Sequence, residues 1–240
     1  MYKRKKVLAL IPARGGSRGI PEKNIYPING VPLILYTINT GSKSEFLDGL
    51  YCSTDDAKIA QVAESSGKCK IIPRPTELAT DTSKTIDSVR HALRFLDEKG
   101  EHYDYVMILQ PTSPLRTSEQ IDGIIRYVVD NDLPSCVSIS ELPYLPVLMR
   151  YVNKTENGVL NLENLIEGCG TCRRQDSRKN YYVDGVLYLY KTSLVLDEKA
   201  DISLNDSPYG YEISLDSALD INEKGDIPLC EFFLSSDLKK

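Results

Sequence analysis

Between residues 10 and 24 the chain reads LIPARGGSRGIPEKN. Three glycines, Gly15, Gly16 and Gly19, fall within five residues, and Arg14, Ser17, Arg18 and Lys23 stand around them. Glycine lets a backbone come close to a ligand and aim successive N–H groups at it. Cations beside such a turn put charge where phosphate oxygens would lie. The apolar run in front, Val7-Leu8-Ala9-Leu10-Ile11, reads as a buried strand. This is the chemistry of a polyphosphate cradle at the C-terminal end of a first strand, where open α/β sheets hold their ligands. Two familiar cradles are excluded. A P-loop needs Lys and Ser or Thr straight after its last glycine, and Ile20 and Pro21 follow Gly19. A dinucleotide fingerprint needs G-x-G-x-x-G opening a helix, whereas Gly15 and Gly16 are adjacent and Pro21 interrupts any helix begun there.

Four further stretches carry charge or hydrogen-bonding groups next to strand-like runs. In Arg74-Pro75-Thr76-Glu77-Leu78-Ala79-Thr80-Asp81 an arginine sits between Pro73 and Pro75. It is presented rigidly, so little entropy is lost when it meets an anion. In Gln110-Pro111-Thr112-Ser113-Pro114-Leu115-Arg116 the prolines stop the preceding strand and leave Gln110 at its C-terminal tip. Arg173-Arg174-Gln175-Asp176 leads into Tyr181-Tyr182-Val183-Asp184-Gly185-Val186-Leu187-Tyr188, and Ser217-Ala218-Leu219-Asp220-Ile221-Asn222 lies further on. Alone, each has a bland reading as a turn, a solvated face or a cap. Their order and repeated placement after strands set them apart.

The elements that must position these groups alternate. Residues 32–41 have a proline suited to a first helical turn and apolar Leu33, Tyr36 and Ile38. Residues 49–54 read as a strand ending in a capping cluster, Ser53-Thr54-Asp55-Asp56, before a helix carrying Ile59, Val62 and Ala63. Residues 70–72 form a third strand. Ile86, Val89, Leu93 and Leu96 mark a helix over 83–98. Residues 105–109 are another buried strand. Ile121, Ile124, Ile125, Val128 and Val129 mark one face of the next helix, and 135–140 return as a strand. This rhythm predicts a mostly parallel sheet with helices on both faces. It breaks over 141–180, an excursion too thin to bury its own core, with strand-like pieces such as residues 158–162. Residues 182–190 are strongly strand-forming and rejoin the sheet. Residues 228–238 suit a terminal helix with Leu229, Phe232 and Phe233 inward. His91 and His102 are expected at the surface.

With 240 residues the chain is ample for a core, and its net charge of −5 has no basic run to suit bulk nucleic-acid binding beyond Lys3-Arg4-Lys5-Lys6. No apolar stretch approaches the ~20 residues of a membrane span. There is no signal-peptide pattern, and a cytoplasmic address is expected by default. The six cysteines, Cys52, Cys69, Cys136, Cys169, Cys172 and Cys230, are then expected as free thiols. Cys169-Gly170-Thr171-Cys172 lacks the second pair a zinc site wants and the early βαβ context of a redox motif.

LIPARGGSRGIPEKN and LQPTSPLR resemble the signatures of the CMP-sialic acid synthetases (acylneuraminate cytidylyltransferases), and the similarity runs from about Val7 to Leu234, weakest over 141–170. The resemblance implies a Rossmann-like fold of the nucleotide-diphospho-sugar transferase type. It implies one cytidylyltransferase domain over residues 1–240, with 141–180 as an inserted dimerisation arm. The activity implied is transfer of CMP from CTP to the anomeric 2-hydroxyl of a nonulosonic acid, with release of pyrophosphate, in a homodimer using Mg²⁺. Catalytic roles fall on Arg14, Lys23 and Asp220. Nucleotide contacts fall on Ala13, Gly15, Gly16, Ser17, Asn24, Arg74 and Thr85, with Asn24 as the cytosine reader and Thr85 where some members have serine. Gln110, Arg173, Arg174 and Gln175 are implied on the sugar side, the two arginines near a dimer interface. Asp220 and Asn222 are the implied metal ligands, although the family commonly has a second aspartate where this chain has Asn222. The CTP motifs are shared by enzymes for legionaminic, pseudaminic and Kdo-type acids, so the loop does not choose among these sugars. A silent sugar-nucleotide binder would hold CTP without releasing pyrophosphate, and the intact Arg14, Lys23 and Gln110 argue against it.

Overall fold

The computed structural model describes residues 1–17, 19–142, 144, 146–166, 179–200 and 202–236. In chain order its strands and helices begin with β1 (Val7–Pro12), β2 (Pro27–Ile28), β3 (Val31–Pro32), α1 (Leu33–Gly41), β4 (Gly49–Thr54) and α2 (Ala57–Ser65). Next come β5 (Lys70–Pro73), α3 (Thr85–Asp97), β6 (Tyr105–Ile108), α4 (Ser118–Asp130) and β7 (Ser135–Glu141). The chain continues with β8 (Arg150–Lys154), β9 (Leu160–Asn164), β10 (Tyr181–Lys191), α5 (Thr192–Leu196), β11 (Gly210–Glu212) and α6 (Asp226–Ser235).

Seven strands form one sheet in the order β11-β7-β10-β6-β1-β4-β5. Six are parallel. The exception is β10, which runs antiparallel to both neighbours, β6 and β7. β1 is central, pairing Leu10 with Tyr51 of β4 and with Ile108 of β6. Its residues are buried on both faces, as the continuous apolar run requires. Val7, Ala9 and Ile11 pack with Ile34 and Ile38 of α1, Ile59 of α2 and the Ile121–Val128 face of α4. Leu8 and Leu10 pack on the other side with Ile86, Val89, Leu93 and Leu96 of α3. The two-residue alternation of one strand thus sorts the helices into two layers.

The local signals hold where they are strongest. Asp56 caps α2, accepting from the N–H groups of Lys58 (2.8 Å) and Ile59 (3.0 Å). Thr117 and Gln120 form a reciprocal capping box on α4. The excursion contains a hairpin, β8 against β9, every residue of which is exposed. No described helix is long and apolar enough to cross a membrane.

Two expectations are corrected. The terminal helix starts at Asp226 and buries Ile227 and Cys230, packed with Ile20, Ile28, Leu33 and Ile221 and with Leu234 beside them. Leu229 and Phe232 are 48% and 59% exposed, and Phe233 is only half-buried. The phase is set by the i, i+3, i+7 stripe that meets the β2–β3 hairpin, not by the bulk of the apolar residues. His91 is half-buried, and its Nδ1 is buried without a hydrogen-bond partner among the described residues. Burial lowers its pKa, and the charge of Arg74 lowers it further. His102 is exposed and hydrogen-bonded to Asp97.

Candidate active site

From β1 the chain moves to β4 and β5 on one side, then returns to β6 on the other. The loops leaving β1 and β6 therefore diverge, and a crevice opens above their C-terminal ends. A cleft of about 550 Å³ lies there. Its walls come from five segments far apart in sequence: the glycine loop, the stretch after β5, the N-terminus of α3, the tip of β6 and residues 220–222.

The glycine loop is held by protein contacts. The Gly15 N–H donates to Asp55 Oδ1 at 3.0 Å, and a Cβ on Gly15 would lie 2.8 Å from Asp56 Oδ2. A Cβ on Gly19 would lie 2.5 Å from the backbone oxygen of Asn222. Both glycines serve close packing against neighbouring segments. Gly16 and Ser17 line the cleft, and Gly16 has open space around it. Two expected nucleotide contacts are placed otherwise. Ala13 is fully buried and extends the β1–β4 ladder, its N–H donating to Ser53 O at 3.0 Å. Gly15 spends its N–H on Asp55. Arg18 lies outside the described residues.

Arg14, Lys23 and Arg74 all reach the cleft. Arg14 spans to the far wall, donating to Thr80 O at 2.6 Å and pairing with Asp81 at 3.0 Å. Lys23 donates to Ile221 O at 2.9 Å. Burial lowers its pKa, Asp220 and Asp226 pull it back, and Arg14 lowers it again. Arg74 is buried, its Nη2 donating to Ser53 O at 2.7 Å and its Nε to Ser53 Oγ at 3.1 Å. Burial lowers its pKa, with Asp55 opposing and Arg14 adding to the shift. Three cations thus crowd one site, with two of them partly stripped of water. That arrangement favours a polyanion.

Asn24 is buried beside Arg14, its Nδ2 donating to Arg14 O at 2.9 Å, which leaves the side-chain oxygen as an acceptor to offer. Thr85 begins α3, a 13-residue helix whose N-terminal end adds partial positive charge to the cleft. Gln110 lines the opposite wall. Arg173, Arg174 and Gln175 lie outside the described residues, as do Cys169 and Cys172.

Asp220 and Asn222 share the wall next to Lys23. Asn222 Nδ2 donates to Asp220 Oδ2 at 2.9 Å, while Asp220 Oδ1 is buried without a hydrogen-bond partner among the described residues. A buried carboxylate oxygen with no donor fits a cation ligand. No cluster of three or more His, Cys, Asp or Glu suited to a metal occurs among the described residues, so a cation held here would draw its other ligands from water and substrate phosphates. Asp226 is engaged with the backbone of this segment instead. Its Oδ2 accepts from the N–H groups of Asn222 and Glu223, both at 2.8 Å.

Residues 8–187 match the cytidylyltransferase family. The chain belongs to that family. Among relatives of this chain, the CMP-N,N'-diacetyllegionaminic acid synthase of Legionella pneumophila is 31% identical, over 94% of this chain and 95% of that protein. The N-acylneuraminate cytidylyltransferase of Streptococcus agalactiae is 29% identical over 92% of this chain. The chain spans about half the length of that relative, 51%. A CMP:2-keto-3-deoxy-manno-octonic acid synthetase solved with CTP superposes with a TM-score of 0.73 at 15% identity, covering 97% of this chain and all of that one, which establishes the fold.

The structure of this cytidylyltransferase-family chain also brings in residues to which the sequence assigned no site role. Asp55, expected only as part of a helix cap, holds the glycine loop. Asp81 and Thr80 hold Arg14. The signal for Asp55 was present: in a doubly wound sheet consecutive sheet strands, here β1 and β4, have neighbouring tips. Arg116, quoted only as the end of a motif, is 2% exposed and donates to Gln110 O and Val186 O, both at 2.9 Å.

Proposed function

We propose that this chain transfers CMP from CTP to the anomeric 2-hydroxyl of a nonulosonic acid of the sialic type. The observation that carries the reading is the convergence of Arg14, Lys23 and Arg74 on one cleft at the switch point, with an Asp220 oxygen beside Lys23 that has no hydrogen-bond partner among the described residues. The hydroxyl oxygen attacks the α-phosphorus, the bond to the β-phosphate oxygen breaks, pyrophosphate leaves and the hydroxyl proton passes to solvent. Such a step needs in-line positioning and charge neutralisation more than a covalent intermediate. Arg14 and Lys23 meet the phosphates, with Gly16 and Ser17 around them. Arg74 and Thr85 take the nucleoside side, and Asn24 reads cytosine through its amide. Gln110 contacts the acid. Asp220, helped by Asn222, would hold Mg²⁺, which supplies positive charge as the phosphates separate.

N-acetylneuraminate is the substrate proposed, with legionaminic, pseudaminic and Kdo-type acids as the alternatives. The L. pneumophila relative favours keeping legionaminic acid in view. We also propose a homodimer formed through residues 141–180. Its support is the β8–β9 hairpin, where Tyr151, Val152, Leu160 and Leu162 are all more than half exposed, an apolar surface that a monomer rarely leaves in water. A cytoplasmic address belongs to the same reading, supported by Cys52, Cys69 and Cys136 as free thiols. The test is pyrophosphate release from CTP with a panel of sugar acids. Release with one acid and CTP is expected. CTP binding with no release for any acid refutes transfer and leaves a nucleotide binder.

A further inference from the structure

We infer that Arg116 is a positioning residue for the acid side of the cleft, fixing the tip of β6 to the irregular middle of β10. The inference rests on the proposed role of Gln110 as the acid contact. Arg116 sends its three arms to three elements. Nη2 donates to Gln110 O at 2.9 Å, Nε to Val186 O at 2.9 Å, and Nη1 to Thr37 Oγ1 of α1 at 3.4 Å. All three acceptors are neutral, although the residue is only 2% exposed. Asp184 and Asp220 act on it through space, and burial lowers its pKa to about 9 against them.

A buried cation with neutral acceptors is an expensive way to fill space, and an apolar side chain of similar volume would serve the fold alone. What the guanidinium does that an apolar chain cannot is join carbonyls from segments that are not adjacent in sequence. The Val186 end is itself irregular. The pairing of β10 with β7 shifts register between Val183 and Tyr188, and Gly185 has φ +80°. Asp184 accepts from the Val186 N–H at 3.0 Å and from Ser140 Oγ at 2.8 Å. Val186 is therefore gripped at its N–H by Asp184 and at its C=O by Arg116. The space beside Gly185 is shared with Gln110, since a Cβ there would lie 3.8 Å from Gln110 Oε1 and 3.4 Å from the Tyr188 hydroxyl. Arg116 sets that spacing without touching substrate. Among the described residues, none of its hydrogen bonds goes to the glycine loop, Lys23 or Arg74.

The test compares Arg116→Lys and Arg116→Met with wild type. Lysine keeps the charge but loses the fork; methionine loses both. The readouts are the KM for CTP, the KM for the acid, melting temperature, and amide exchange at residues 112–113 and 186–187. Expected for Arg116→Lys are a CTP KM within about twofold of wild type and an acid KM raised about tenfold or more, as misplacement of a binding group produces. Exchange should accelerate in both segments together in either variant. An unchanged acid KM, or equal rises in both KM values, overturns the inference. Failure of both variants to fold also overturns it, in favour of a purely structural arginine. If wild type releases no pyrophosphate with any acid, the transfer reading falls, and exchange decides Arg116 alone: joint acceleration supports the coupling, and no change in either segment refutes it.

Discussion

Gly19→Ala is the substitution whose consequence is most directly worked from the structure. The added Cβ would sit 2.5 Å from the Asn222 carbonyl oxygen, and such carbons essentially never approach closer than 3.0 Å, so something must move by about 0.5 Å. The obstacle is backbone, not the end of a flexible chain. It is also braced. Asn222 N–H is held by Asp226 at 2.8 Å, Ile221 N–H by Thr112 O at 2.9 Å, and Ile221 O by Lys23 Nζ at 2.9 Å. The Ile221 side chain is fully buried. Relief therefore passes either into the glycine loop or into the segment carrying Asp220, and both line the site. Overpacking of this kind costs about 1–3 kcal/mol. At ~2–4 °C per kcal/mol for a chain of this size, the melting temperature should fall by about 2–12 °C. Displacement of Lys23 against Asp220 should lower kcat/KM by about tenfold to a hundredfold. Gly16→Ala is the internal control, because nothing lies within 4 Å of its added carbon. Its stability should stay within about 0.5 kcal/mol of wild type. Differential scanning fluorimetry and pyrophosphate release measure both variants. A Gly19→Ala protein that melts and turns over like wild type refutes the packing argument, as does an equal thermal loss in Gly16→Ala.

Four other outcomes are expected. Asp220→Ala should lower kcat by about a hundredfold or more, whereas Asn222→Asp should reduce the Mg²⁺ needed for half activity and melt earlier in chelator, because it replaces the Asn222–Asp220 hydrogen bond with two like charges; normal turnover of Asp220→Ala at limiting Mg²⁺ would exclude it as a ligand. Lys23 sits below the ordinary lysine pKa, so the charge that meets phosphate is lost as pH rises through that lowered value, and Lys23→Arg should carry activity to higher pH; coincident alkaline limbs in the two pH profiles would count against this. Asn24→Ala should raise the KM for CTP and blur discrimination against UTP, since it removes both the amide and the hold on Arg14 O; undiminished discrimination would reject base reading. Charged substitutions at Leu160 and Leu162 should convert a dimer to monomer in sedimentation, and a wild type that is monomeric at micromolar concentration with full activity would remove the dimer from the proposal.

What the sequence determined by itself was local or repeated. The run from Val7 to Ile11, the capping cluster at Asp56 and the stripe from Ile121 to Val129 each encode their element within one strand or a few helical turns, so periodicity alone places them. The alternation of strand and helix then requires a mostly parallel sheet, and the residues after its strands, Arg14, Arg74 and Gln110, gather at one edge because all those strands point the same way. Tertiary structure decided what depends on which segments meet. β10 enters antiparallel between β6 and β7, which no local pattern specifies. The phase of α6 follows from Ile20, Ile28 and Leu33, about two hundred residues earlier in the chain, and so Phe232 faces outward despite its size. Gly15 and Gly19 look like a ligand cradle in sequence, yet their missing side chains make room for Asp56 and Asn222. The physical reason is the same in each case. Periodicity and capping are written in residues within reach of one another along the chain, whereas close packing between distant segments is selected only when the whole core is assembled.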